Sequence, residues 1–137
     1  MWIAFAFGSA LFAGLTAILA KCGIKNTDSN VATALRTIIV LIFSWIMVFV
    51  VGAQNGITTL TGKTIVFLVL SGLSTGASWL CYYRALQTGP ASVVVPIDKL
   101  SILVTIAFSY VVFHEKLTAK AGIGLLLIVA GTMLLLV

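Results

Sequence analysis

The stretch Val95-Pro96-Ile97-Asp98-Lys99-Leu100-Ser101 sets a carboxylate beside an ammonium inside a run of Val, Ile, Leu, Ala and Phe. A carboxylate in apolar surroundings can bind a proton or a cation, and a nearby ammonium competes for it. Two arginines stand in similar company: Arg36 among Thr33, Thr37 and Ser44, and Arg84 just after Trp79, Tyr82 and Tyr83. Charges, hydroxyls and aromatic faces of this kind suit the binding of a small polar solute. Catalysis has less support, because the single histidine, His114, sits at a helix end with no recognisable nucleophile, base and acid cluster. Cys22 and Cys81 fit no metal spacing and read as free thiols. No cofactor motif or nucleotide-binding loop is present.

Helical spacing sorts these residues onto faces. Asp98, Ser101, Thr105 and Ser109 recur every three or four residues and form one polar stripe. Lys99 is turned by about 100° from Asp98, toward Val95, Ile102, Leu103 and Ile106. The two charges are therefore expected to point apart, with Lys99 lacking an intrachain acid in the apolar interior. Each costs roughly 2.5 to 3.5 kcal/mol at the centre of a membrane helix, so partners or water must await them. Pro96 removes a backbone donor, frees the carbonyl of Ser92 and loosens the helix just before the charges.

A second stripe holds Ser71, Ser74, Ser78 and Tyr82, with Thr75 beside it. Next to it run Gly72, Gly76, Trp79 and Tyr83. Gly72 and Gly76 form GxxxG, whose ordinary use is close helix packing. Trp79 and Tyr83 are either interface-belt aromatics or the wall of a cavity able to hold an organic cation or a metabolite. Arg84 either snorkels from its helix end or folds back toward Asp98, and Arg36 either snorkels or points inward.

The elements that must carry these residues follow from composition. The chain has 137 residues, 61% hydrophobic and 8% charged, with a mean hydropathy of +1.24. A soluble domain carries about a quarter of its residues as charges, so this is an all-α integral membrane protein. The net charge of +5 does not indicate nucleic acid, because the basic residues mostly flank apolar segments and anchor helix ends to headgroups. Spanning the bilayer takes about 20 apolar residues, and five segments qualify, near 2–20, 31–51, 64–86, 92–113 and 117–137. An odd number puts the two termini on opposite faces. Leu19-Ala20-Lys21-Cys22 resembles a lipoprotein cleavage box, but no basic region precedes the long apolar run and Lys21 replaces the small residue needed, so a retained helix is expected. The fifth segment, apolar after Lys120 except for Thr132, suits a scaffold or dimer-contact helix.

Orientation is weakly specified. One face carries Lys63, Lys116 and Lys120, the other Lys21, Lys25, Arg36 and, just inside a helix end, Arg84. So balanced a count permits insertion both ways, and an antiparallel homodimer can then form with halves related like inverted repeats. A single orientation fixed by other causes is the alternative.

Several runs together resemble the EamA domain of the drug/metabolite transporter superfamily. They are Tyr82-Tyr83-Arg84-Ala85-Leu86-Gln87-Thr88-Gly89-Pro90-Ala91-Ser92, Val94-Val95-Pro96-Ile97, His114-Glu115-Lys116-Leu117-Thr118 and the Gly-containing segment from Gly122 to Leu136. The resemblance covers the whole chain, including the opening ALFAGLTAILAK, as one five-helix half-repeat of a pattern that usually occurs twice in inverted orientation. Arg84, Pro96 and Glu115 match motif positions, while His114 departs from the small or apolar residue usual there.

The resemblance implies a secondary transporter or exporter of small polar metabolites or drug-like compounds in a bacterial or archaeal cell membrane. Completion as an antiparallel ten-helix homodimer working by alternating access is expected, with a cavity near the midplane. In that reading Asp98 takes a proton or cationic substrate, Trp79, Tyr82 and Tyr83 form walls, and Lys99, Arg84, Arg36 and Ser101 contribute polar contacts. The competing class is a non-transporting assembly partner or lipid-flippase subunit, with the charges as inter-subunit glue.

Overall fold

The computed structural model describes residues 1–114 and 116–136. Glu115, one of the motif positions, and Val137, the end of the fifth expected segment, lie outside them. The described residues form helices joined by short connections. These are α1 (Trp2–Gly23), α2 (Ser29–Val51), a 3₁₀ helix (Ala53–Thr59), α3 (Gly62–Thr88), α4 (Ala91–Asp98), α5 (Ser101–Phe113) and α6 (Ala119–Leu134).

Local chemistry sets the boundaries. Asp28 caps α2, its Oδ1 accepting from the amides of Asn30 at 2.8 Å and Val31 at 3.4 Å. Gly52 ends α2 with φ +73°, a left-handed residue that favours glycine. The polar AQNGITT connection winds into a 3₁₀ turn that the apolar pattern did not foretell, held by Thr58 and Thr59 hydroxyls donating to the Asn55 and Gly56 carbonyls. α3 continues to Thr88, two residues past the expected limit, and stops where Pro90 denies Gly89 a helical conformation. Thr118 caps α6 through the amide of Ala121.

Four stretches are long and apolar enough to cross a membrane: α1, α2, α3 and Ala91–Phe113, which joins α4 to α5. The fifth expected segment forms only the 16 residues of α6, and Leu135 and Leu136 continue it in a tighter turn. The fourth is not one helix. Between α4 and α5 the amides of Lys99, Leu100, Ile102 and Leu103 each reach back three residues, to Pro96, Ile97, Lys99 and Leu100, at 2.9–3.1 Å. Tightening from the α pattern to the 3₁₀ pattern divides the segment at Lys99 and Leu100.

The chain separates into two compact units, Met1–Ala17 with Gly89–Val137, and Ile18–Thr88. In the second unit α2 packs on α3, and the start of α2 lies against the end of α3. Ile24, Tyr83 and Leu86 are buried there to 3% exposure or less. In the first unit α4 touches α6, and Leu117 lies 3.7 Å from where a Cβ on Gly122 would stand. On both units most Leu, Ile, Val and Phe side chains point outward, as helices solvated by lipid do.

Candidate functional site

The second unit assembles a cation on aromatic faces. Arg36 stands on the eighth residue of α2, about 10 Å along the helix from its start. Its guanidinium carbon lies 4.2 Å from the centroid of the Trp79 ring and 5.6 Å from that of Tyr83. Trp79 and Tyr83 are one turn apart on α3, so a single guanidinium meets both. Tyr82 meets Tyr83 edge-on, with centroids 6.2 Å apart and planes at 74°. Arg36 therefore lies against the aromatic face of α3. The aromatic face read as a seat for an organic cation already carries a cation of this chain.

Polar groups on α2 are locally satisfied. The hydroxyls of Thr33, Thr37 and Ser44 donate to the carbonyls of Ser29, Thr33 and Val40 at 2.7–2.8 Å, a back-bonding pattern that lets hydroxyls sit in apolar helices. Arg36 differs. Among the described residues it makes neither an ion pair nor a hydrogen bond.

One turn toward the membrane surface, Gln87 gathers the end of α3. Its Oε1 accepts from Arg84 Nη1 at 3.0 Å, and its Nε2 donates to the carbonyls of Thr27 at 2.9 Å and Ile24 at 3.4 Å. Lys21 Nζ donates to the carbonyl of Leu86, one of those a helix end leaves unpaired and a site where positive charge is favourable. The sequence alone gives neither Gln87 nor Lys21 a part in the site. Gln87 belongs to the Tyr82–Ser92 run, and only its place three residues after Arg84 hints at a role. A groove of about 340 Å³, lined by Ser29, Asn30, Leu80, Cys81 and Arg84, opens beside this clasp.

The first unit holds the other charges. Asp98 is the last residue of α4, Lys99 occupies the tightened turn and Ser101 opens α5, with Pro96 two residues before Asp98. Lys99 Nζ lies 3.6 Å from Asp98 Oδ2. This corrects the expectation that the two would point apart and leave Lys99 without an acid. The helical wheel fixes the direction of Cβ, but the four-carbon lysine stem folds back across one residue. Both side chains remain accessible, at 59% for Lys99 and 37% for Asp98.

Gly72 and Gly76 share the α3 face of Trp79 and Tyr83. Beyond its own stretch of helix, a Cβ at either would meet no described atom within 4 Å, so the packing expected of GxxxG is not made there by the described residues. No group of three or more His, Cys, Asp or Glu residues able to hold a metal occurs among the described residues.

Comparison with known proteins bears on this arrangement. Residues 1–137 match the EamA-like transporter family. A Sinorhizobium protein described as "Uncharacterized transporter in cobO 3'region" is 43% identical over 136 residues, covering 99% of this chain and 96% of its own length. An uncharacterized protein of Methanocaldococcus jannaschii is 31% identical over 103 residues, 69% of this chain and 75% of the relative. An Enterobacter protein described as "Probable 4-amino-4-deoxy-L-arabinose-phosphoundecaprenol flippase subunit ArnE" is 37% identical over 70 residues, 50% of this chain and 64% of the relative. No solved structure matches the chain.

Proposed function

The chain belongs to the EamA-like transporter family, and from that premise we propose that this integral membrane protein is a secondary-active transporter of small polar metabolites or drug-like compounds. The observation that carries the reading is the division of the membrane segment Ala91–Phe113 at the Asp98–Lys99 pair. Secondary transporters place substrate and coupling-ion sites where spanning helices are discontinuous, because the interrupted turn exposes backbone groups and can change its angle. Here the interruption carries a carboxylate, an ammonium and the hydroxyl of Ser101.

In this reading Asp98 exchanges Lys99 for a proton or a cation during the cycle, and Pro96 keeps the break open. Tyr82, Trp79 and Tyr83 form an aromatic wall of the solute path. A second copy in antiparallel orientation completes the pathway, a proposal supported by the even spread of Lys and Arg between the two loop faces. Export is the proposed direction.

The test is flux in proteoliposomes carrying the purified full chain, against a panel of amino acids, organic acids, phosphate esters, amines and drugs. Gradient-driven uptake of at least one class, lost in Asp98→Asn, supports the reading. A second reading, an assembly partner or flippase subunit, draws on the 37% identity to the ArnE-described protein. It gains if nothing moves and the Asp98–Lys99 pair proves fixed.

A further inference from the structure

The Arg36 site fixes the sign of the solute. We propose that Arg36, seated on Trp79 and Tyr83, binds an oxyanion group, carboxylate or phosphate, of the molecule this protein handles. The inference rests on the transporter reading for what is moved, but not for what is bound.

The argument begins with position. Arg36 lies about 10 Å inside the start of α2, and Trp79 and Tyr83 sit at matching depth before the end of α3, so the cluster is within the apolar segment. A cation there is costly unless something compensates it. The aromatic rings compensate part. They attract the guanidinium, whose carbon lies 4.2 and 5.6 Å from the ring centroids, a contact that uses no conventional hydrogen-bond acceptor. The guanidinium carries five N–H donors. Among the described residues no carboxylate or other acceptor engages it. A cation held on aromatic rings, with its N–H donors unmet by the described residues, is suited to meet an anion, since a planar guanidinium and an oxyanion pair through parallel hydrogen bonds.

The surroundings favour the same sign. Asp28, the one carboxylate of the Ile18–Thr88 unit, is occupied as the cap of α2. Lys21, Lys25 and Arg84 are further cations of that unit. An organic cation approaching Trp79 would have to displace Arg36 and suffer its repulsion, whereas an anion gains from both. The same face of α3 has room beside the rings: Gly76 lies one turn from Trp79 and Gly72 a turn further, and beyond its own stretch of helix neither has a described atom within 4 Å of its missing Cβ. That bare strip can take the apolar part of a ligand whose oxyanion is on Arg36.

The test uses the full chain in phosphatidylcholine nanodiscs with Trp2→Phe and Trp45→Phe, which leaves Trp79 as the sole indole. Phenyl phosphate, benzoate and benzylamine are titrated while Trp79 emission is followed. Both anions should shift the emission saturably and benzylamine should not. Arg36→Gln should weaken anion binding by about tenfold or more, the range expected for hydrogen bonds to a charged group, and Arg36→Lys by less. Arg36→Lys retains the charge, so it answers even if Arg36→Gln fails to fold. A lipid source is separated by adding phosphatidylglycerol: if headgroups fill the site, emission shifts with that lipid and phenyl phosphate competes. If free anions alone act, phosphatidylglycerol has no effect. Either result supports an oxyanion site. A saturable response to benzylamine alone, no response to any anion, or unchanged anion affinity in both Arg36 variants overturns it. Flux of amines indifferent to Arg36 would discard the oxyanion site and leave the transporter reading standing. Arg36-dependent anion binding without flux of any compound would do the reverse.

Discussion

The guanidinium carbon of Arg36 lies 4.2 Å from the centroid of the Trp79 indole, joining α2 to α3 through a charge and a ring. Such a contact contributes about 0.5 to 2 kcal/mol, more as water is excluded. Trp79→Phe should keep most of the packing and weaken the attraction. Trp79→Ala should reduce phenyl phosphate affinity while leaving helicity and extractability unchanged. A lower thermal midpoint with unaltered affinity would identify Trp79 as a packing residue only, so both are measured on one preparation.

Asp98→Asn is expected to abolish flux, because the Asp98–Lys99 turn then loses the carboxylate that can exchange partners. Lys99→Met should abolish flux or alter its dependence on external pH. If the pair only holds subunits together, the exchanged double variant Asp98→Lys with Lys99→Asp should restore assembly better than either single change. Normal flux by Asp98→Asn would remove this pair from the mechanism.

Pro96→Ala restores an amide two residues before Asp98. α4 and α5 should approach a continuous helix, the thermal midpoint in detergent should rise, and turnover should fall several-fold. Unchanged turnover with a higher midpoint would mean that the break is not a moving part.

Gln87 ties Arg84 to the carbonyls of Ile24 and Thr27. Gln87→Ala should cost about 0.5 to 1.5 kcal/mol of stability, as mostly exposed hydrogen bonds are lost. Hydrogen exchange should quicken at residues 24–28 and at the end of α3, with α5 unaffected. Uniform quickening across the chain would point to general destabilisation instead.

Insertion in both orientations is expected from the balanced loop charges. A cysteine appended after Val137 in a chain lacking Cys22 and Cys81 should react with impermeant reagents from both sides of sealed vesicles. Labelling from one side only would end the antiparallel proposal.

Helix positions were legible in the sequence because lipid demands long apolar runs, and the four long stretches fall within a few residues of those runs. The places where it was less legible have local causes. Pro96 announced a disturbance, but the break lies three residues later, where backbone amides shift to i−3 carbonyls. The Asp98–Lys99 contact escaped because wheel angles ignore the reach of a lysine stem. Arg36, Trp79 and Tyr83 were each picked out, yet their meeting depends on how α2 seats against α3, which the periodicity of either helix alone leaves open. Gln87 carried no periodic signal, since its three contacts lie near the end of α3 and in the connection between α1 and α2.

Helix lengths make bilayer thickness a variable for this protein. α6, with 16 residues, is about 24 Å long, and α3, with 27, about 40 Å, against a hydrocarbon layer of about 30 Å. A membrane thick enough for α3 to stand upright exceeds the length of α6, and one thin enough for α6 obliges α3 to lean or expose apolar turns to water. Each mismatch costs fractions of a kcal/mol per Å. Acyl-chain length thus acts on the two helices in opposite senses, and lipids of intermediate chain become the solvent in which their strains balance.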